Sequence, residues 1–281
     1  MHKTLITPHA LSQLLAGSEP PVVVDTRFSL ADVEQGRRHY RRGHIPTAVY
    51  AHLDEDLSGP IIPGVTGRHP LPDPDALSAR LGAWGISNAR QVVAYDDADG
   101  GIAARLWWLL RWLGHDAVAV LDGGWRAWTA ADLPFTTAIP APEPADFQPA
   151  LRTGQVVETQ EVMAMRKDER ARLVDSRTSD RFAGQNETID PVAGHIPGAA
   201  NLPYPDTARP DGSSLDPETL RSLFRKRLGN VDPGTIAFYC GSGVTAARNV
   251  LAMEHAGLPG SRLYAGSWSE WIQHSKEVEP E

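Results

Sequence analysis

A repeat inside the sequence limits its folds more sharply than any single residue. Val22-Val23-Val24-Asp25-Thr26-Arg27 returns as Arg172-Leu173-Val174-Asp175-Ser176-Arg177, and Gly43-His44-Ile45-Pro46 returns letter for letter as Gly194-His195-Ile196-Pro197. Val92-Val93-Ala94-Tyr95 resembles Ile236-Ala237-Phe238-Tyr239, and Asp122-Gly123-Gly124-Trp125-Arg126-Ala127-Trp128 resembles Ala265-Gly266-Ser267-Trp268-Ser269-Glu270-Trp271. Order and approximate spacing are kept, which is the mark of a duplicated domain. The length agrees: 281 residues make two domains of ordinary size.

Between the copies, Pro134, Pro140, Pro142, Pro144 and Pro149 exclude helix and favour extended, semi-rigid chain. The expected division is residues 1–138, a linker at 139–156, and residues 157–281. Short β-branched runs alternate with helix-period segments: strands at 22–25, 92–95 and 117–121 and a helix at 101–113, then strands at 173–175, 235–240 and 262–264. This is an α/β pattern, expected to give in each half a mostly parallel sheet with helices on both faces and ligands beyond the carboxyl ends of the strands.

Composition narrows the function. Twenty-seven Lys and Arg against 35 Asp and Glu give a net charge of −8, the wrong sign for gripping a phosphate backbone, so no nucleic-acid partner is expected. The apolar stretch 103–113 carries Arg105 and Arg111 and falls far short of the ~20 residues of a membrane span. The first residues have one Lys and no long apolar run, unlike a secretory signal, and a cytoplasmic address is expected. The single cysteine, Cys240, excludes an intramolecular disulfide and a cysteine-rich zinc site; neither metal nor cofactor is expected.

Cys240 ends a strand-like run and opens Cys240-Gly241-Ser242-Gly243-Val244-Thr245, after which 246–253 has helix formers. Two glycines permit positive φ, the absence of proline keeps every loop N–H available as an anion cradle, and the positive end of the following helix adds to the field. Such surroundings favour a nucleophilic thiolate and could hold a negative sulfur species formed on it. The other reading is a buried, inert core thiol, the common fate of a free cysteine. The first half is an internal control: its equivalent turn, Tyr95-Asp96-Asp97-Ala98-Asp99-Gly100-Gly101, has Asp96 where the cysteine falls. Features present in both halves, Asp25 and Asp175, His44 and His195, Arg105 and Arg248, therefore read as scaffold, and the eight tryptophans as packing.

With the Cys-Gly-Ser-Gly-Val-Thr loop and the Gly-Ser-Trp-Ser-Glu-Trp ending, the chain resembles the tandem-domain rhodanese-type sulfurtransferases over essentially its whole length, and among them the 3-mercaptopyruvate sulfurtransferase branch. The resemblance implies two tandem rhodanese-like domains, the first without the catalytic cysteine, and sulfur transfer from a small-molecule donor through a Cys240 persulfide to a thiol, cyanide or thioredoxin-like acceptor, with release of pyruvate. It implies a relay of Cys240, Ser242 and Asp54, and a substrate site made by Gly241, Gly243, Val244 and Thr245, with His69 of Arg68-His69-Pro70-Leu71-Pro72 and with Arg181 of Arg-Phe-x-Gly on the donor carboxylate. Asp54 also has a second reading, as one of a solvated Asp-Glu-Asp run. Thiosulfate-preferring relatives place cationic side chains at the second and third loop positions, where Gly241 and Ser242 stand here. One departure concerns substrate: the position of the branch's second arginine holds Asp190, which leaves a carboxylate clamp incomplete unless another donor substitutes.

Three rivals remain. A phosphatase of the Cys-x5-Arg type would need arginine where Ala246 stands. Thiosulfate could be the donor. A carrier module would hold one equivalent of persulfide without turnover.

Overall fold

A computed structural model describes residues 1–274. The chain forms two compact units, each interrupted in sequence: 1–58, 72–152 and 208–214 in the first; 59–71, 153–207 and the chain from 215 onward in the second, whose final residues 275–281 lie outside the described part.

The first unit is built on five strands, β1 (Leu5–Ile6), β2 (Val22–Asp25), β3 (Val49–Tyr50), β4 (Val92–Tyr95) and β5 (Val118–Leu121), in the order β1-β5-β4-β2-β3. The second has four, β6 (Arg172–Asp175), β7 (Ala200–Asn201), β8 (Ile236–Tyr239) and β9 (Arg262–Leu263), in the order β7-β6-β8-β9. Every strand pairing is parallel. Parallel neighbours need long crossovers, and the helices supply them. All four residues of β2, β4, β5 and β8 are buried, which is why these strands read as continuous apolar runs without alternation.

The duplicated motif is a buried charged bracket. Arg27 holds both oxygens of Asp25 and the carbonyl of Gly43, and Tyr95 donates to Asp25 at 2.6 Å. Arg177 repeats this on Asp175 and the carbonyl of Gly194. Trp125 lies 4.7 Å from the Arg27 guanidinium and Trp268 4.9 Å from that of Arg177. His44 and His195 each place Nδ1 on a backbone carbonyl, of Tyr40 and Phe182 respectively. These pairs are satisfied where they lie, as scaffold groups should be.

The proline-rich stretch is extended but not a free spacer up to residue 156. Its non-proline N–H groups tie it to the first unit: Ala145 to the Gly82 carbonyl, Ala150 to Leu113 and Arg152 to Trp112, at 2.8 to 2.9 Å, with Phe147 buried among them. The first compact unit includes this stretch as far as Arg152. Among the described residues no helix is long and apolar enough to cross a membrane.

Candidate active site

Cys240 follows β8 directly and is 2% exposed. The loop from Cys240 to Thr245 turns into the helix Ala246–His255, whose cap residue Thr245 makes no side-chain bond to the helix N-terminus. The carbonyls of Cys240 and Gly241 accept N–H groups of Trp268 and Ser269, and those of Val244 and Thr245 accept Ala247 and Arg248. Four loop carbonyls are thereby occupied by N–H donors of the chain. Gly243 has φ +75°, and a Cβ there would lie 2.1 Å from the Ala265 carbonyl oxygen, so only glycine fits. Ser267 also has positive φ, 56°, costly for a residue with a side chain. Its hydroxyl accepts the Cys240 N–H at 3.1 Å and donates to the Tyr264 carbonyl at 2.9 Å.

The segment 59–71 belongs to the second unit and supplies side chains to this loop. It is pinned along the helix Ser267–His274: the Arg68 N–H donates to Ser269 Oγ at 3.0 Å, and Gln273 and His274 reach the carbonyls of Thr66 and Val65. Gly67 permits the approach, since a Cβ there would lie 2.5 Å from the Gly266 oxygen. His69 Nδ1 consequently stands 2.7 Å from Ser242 Oγ, both groups nearly buried.

Arg181 donates to Glu187 through Nε and Nη2 at 2.9 to 3.0 Å and to Asp190 at 3.2 Å. Asp190 in turn pairs with Arg68, and Glu187 with Arg177. Burial pushes the Glu187 carboxyl up, but the N–H groups of Asp190 and Ile189 and the Arg181 guanidinium outweigh it and hold the group below its usual range. For Asp190 burial wins over Arg68 and Arg181, and its carboxyl lies above the usual range.

Cys240, Ser242, His69 and Arg181 thus share one unit with Gly241, Gly243, Val244 and Thr245. Asp54 belongs to the first unit, exposed on the short helix Leu53–Asp56, with partial burial raising its carboxyl. The sequence reasoning missed three residues: Arg68, Asp190 as its partner, and Ser267. Arg68 was adjacent to the chosen His69, which was the available signal; nothing local marks Ser267.

The first unit's counterpart loop is filled from within. Asp96 Oδ1 accepts the N–H groups of Ala98 and Gly100, and Oδ2 those of Ile102 and Ala103, all at 3.0 to 3.1 Å. Burial holds this carboxyl above its usual range, and the N–H groups of Ala103, Gly100 and Ala98 offset part of that rise. Among the described residues, Glu34, His52 and Glu55 form a group with metal-ligand spacing, but both ring nitrogens of His52 are engaged by backbone and Arg37 pairs with both glutamates.

The chain is similar to known proteins over most of its length. The Rhodanese-like domain family matches residues 7–131 and again 158–274. The probable 3-mercaptopyruvate sulfurtransferase of Pseudomonas aeruginosa is 47% identical over 270 residues, covering 95% of this chain and 94% of that protein. The thiosulfate sulfurtransferase of Mus musculus is 34% identical, covering 90% and 85%. Among solved structures, the 3-mercaptopyruvate sulfurtransferase from Leishmania major superposes with a TM-score of 0.83 at 33% identity, over 96% of this chain and 74% of that one.

Proposed function

The chain belongs to the rhodanese-like family, with two copies of the domain, and we propose that it is a 3-mercaptopyruvate sulfurtransferase working through a persulfide on Cys240. The observation that carries this reading is the setting of Cys240: it opens a strand-loop-helix turn in which four carbonyls are occupied and whose helix N-terminus has no side-chain cap. The similarity to relatives of that name supports the choice of donor.

In the proposed reaction the Cys240 thiolate attacks the donor sulfur. The new S–S bond forms as the donor's C–S bond breaks, the electron pair leaves on carbon as the enolate of pyruvate, and a proton completes pyruvate. The outer sulfur keeps the donor's thiol proton, or gives it up to leave an anionic persulfide for the loop amides to hold. Ser242 and His69, 2.7 Å apart, form the proton route beside the reacting atoms, and Asp54 remains the proposed third member of the relay. Arg181 takes the donor carboxylate, with Gly241, Gly243, Val244 and Thr245 forming the loop around the sulfur. A thiol, cyanide or thioredoxin-like acceptor then attacks the outer sulfur and returns the thiolate. The proposed compartment is the cytoplasm.

Intact mass after treatment with 3-mercaptopyruvate tests the reading: a gain of one sulfur atom is expected, absent in Cys240→Ser. Multiple turnovers with cyanide separate an enzyme from a carrier, which stops at one equivalent. Thiosulfate is the second reading, favoured by two guanidinium groups close to Gly241. Comparing kcat/KM for the two donors decides between them, with 3-mercaptopyruvate expected to be preferred.

A further inference from the structure

Two guanidinium groups, not one, stand over the Cys240 loop. Measured from the point where a Cβ on Gly241 would sit, Arg68 Nη2 lies 2.9 Å away and Arg181 Nη2 3.5 Å, with Asp190 Oδ2 between them at 3.6 Å. Asp190, whose side chain is 1% exposed, bonds Arg68 through Oδ1 and Arg181 through Oδ2. The two arginines are committed to different degrees. Arg181 spends Nε and Nη2 on Glu187 as well as on Asp190. Arg68 spends only Nη1, on Asp190, and its buried Nε has no hydrogen-bond partner. A buried N–H without a partner is costly unless something arrives to accept it.

The charges lead the same way. Arg68, Arg177 and Arg181 are linked through Asp190, Glu187 and Asp175, three cations against three anions. Such a neutral network takes a single carboxylate with less penalty than a dianion, provided one fork is left open, and the open fork is that of Arg68.

We propose that Arg68 is a specificity-determining residue of the donor site. Its Nε and Nη2 join Arg181 in receiving the carboxylate of the sulfur donor, and Asp190 is the tether that holds the guanidinium over the loop. This rests on the reading of the protein as a mercaptopyruvate enzyme. It also accounts for position 190: an acid there does not leave the site short of a cation, because it fixes a cation delivered by the segment 59–71.

A charge-swap cycle tests it. Arg68→Asp, Asp190→Arg, the double variant and Arg68→Lys are assayed with 3-mercaptopyruvate and with mercaptoacetone, which lacks the carboxylate, following persulfide on Cys240 and thiocyanate formed from cyanide. Arg68→Asp is expected to raise KM for 3-mercaptopyruvate about tenfold or more, as the loss of a charge-assisted contact does, with little change for mercaptoacetone. The double variant, which returns a guanidinium from the other side of the pair, is expected to recover most of that loss. Arg68→Lys keeps the charge and the tether but not the fork, and is expected to raise KM severalfold in a protein with the wild-type thermal midpoint. Equal effects on both donors, or simple addition of the two single effects in the double variant, would overturn the assignment. A wild-type protein that gains no sulfur from either donor would instead overturn the reading of the reaction.

Discussion

The two copies of the domain build the same frame and put different things in it. In the first, the carbonyl of Asp96 accepts the Trp125 N–H at 2.8 Å; in the second, that of Cys240 accepts the Trp268 N–H at 3.0 Å. The first loop then closes on itself, because the Asp96 carboxylate takes four N–H groups from the loop and from the start of the helix Gly101–Trp112. The second carries a thiol at that place and no internal acid. On the proposed reading an anion cradle is common to the repeat: one copy fills it with its own carboxylate, and the other offers it to the charge that forms on sulfur.

The sharpest way to break this comparison is to exchange the occupants. Cys240→Asp and Cys240→Ala both remove the nucleophile, and complete loss of turnover is expected in each. Their stabilities should differ, since an aspartate can bond the loop amides and an alanine cannot. Thermal unfolding should find the Asp variant about 1–2 kcal/mol more stable than the Ala variant. The reverse order would mean that the second loop's amides do not form a cradle like that around Asp96.

How much of this was legible in the sequence follows from the range of the signals. The repeat, the alternation of strands and helices and the loop after β8 are written in contiguous residues, and the sequence placed the ends of β2 and β4 where they lie, as well as the start of the helix at Ala246. The Asp96 control was visible for the same reason. The meeting of His69 with Ser242 joins residues 173 apart through a segment with no periodicity of its own, and only the fold brings it about. Asp190 read as a missing arginine because its partner, Arg68, lies 122 residues away. Ser267 was passed over because positive φ is a property of the backbone path, and serine does not announce it as glycine does.

Ser267 offers the next test. At the matching place the first copy has Gly124 with φ +55°, a residue for which that conformation is free. Only the copy with the thiol accepts the strain, and there the hydroxyl bonds the Cys240 N–H. Ser267→Gly releases about 1 kcal/mol of strain and gives up hydrogen bonding of similar worth, so the thermal midpoint should stay close to wild type. Turnover should fall about tenfold as the Cys240 peptide loses its anchor, and the rate at which iodoacetamide alkylates this single thiol should fall with it. Ser267→Ala keeps the strain and loses the bond, and is expected to be less stable as well as less active. Wild-type turnover in both variants would make Ser267 a packing residue.

The smallest expected effect concerns acid. In the first copy the bracket ends at Asp25–Arg27, whereas in the second Arg177 carries a further carboxylate, Glu187, whose side chain is 2% exposed. Folding holds Glu187 below its ordinary 4.5, despite burial, through the N–H groups of Asp190 and Ile189 and the Arg181 guanidinium. A carboxyl lowered in this way contributes stability that is fully present above its unfolded pKa and lost as the pH falls through the folded one. Glu187→Gln removes that contribution. At neutral pH the variant should be less stable than wild type by about 1 kcal/mol, a shift of roughly 2–4 °C in the thermal midpoint, and the two curves should converge as the pH falls through and below the ordinary 4.5 of a glutamate. A gap that stays constant with pH would show that Glu187 contributes through packing rather than through its charge, and the two brackets would then differ in size alone.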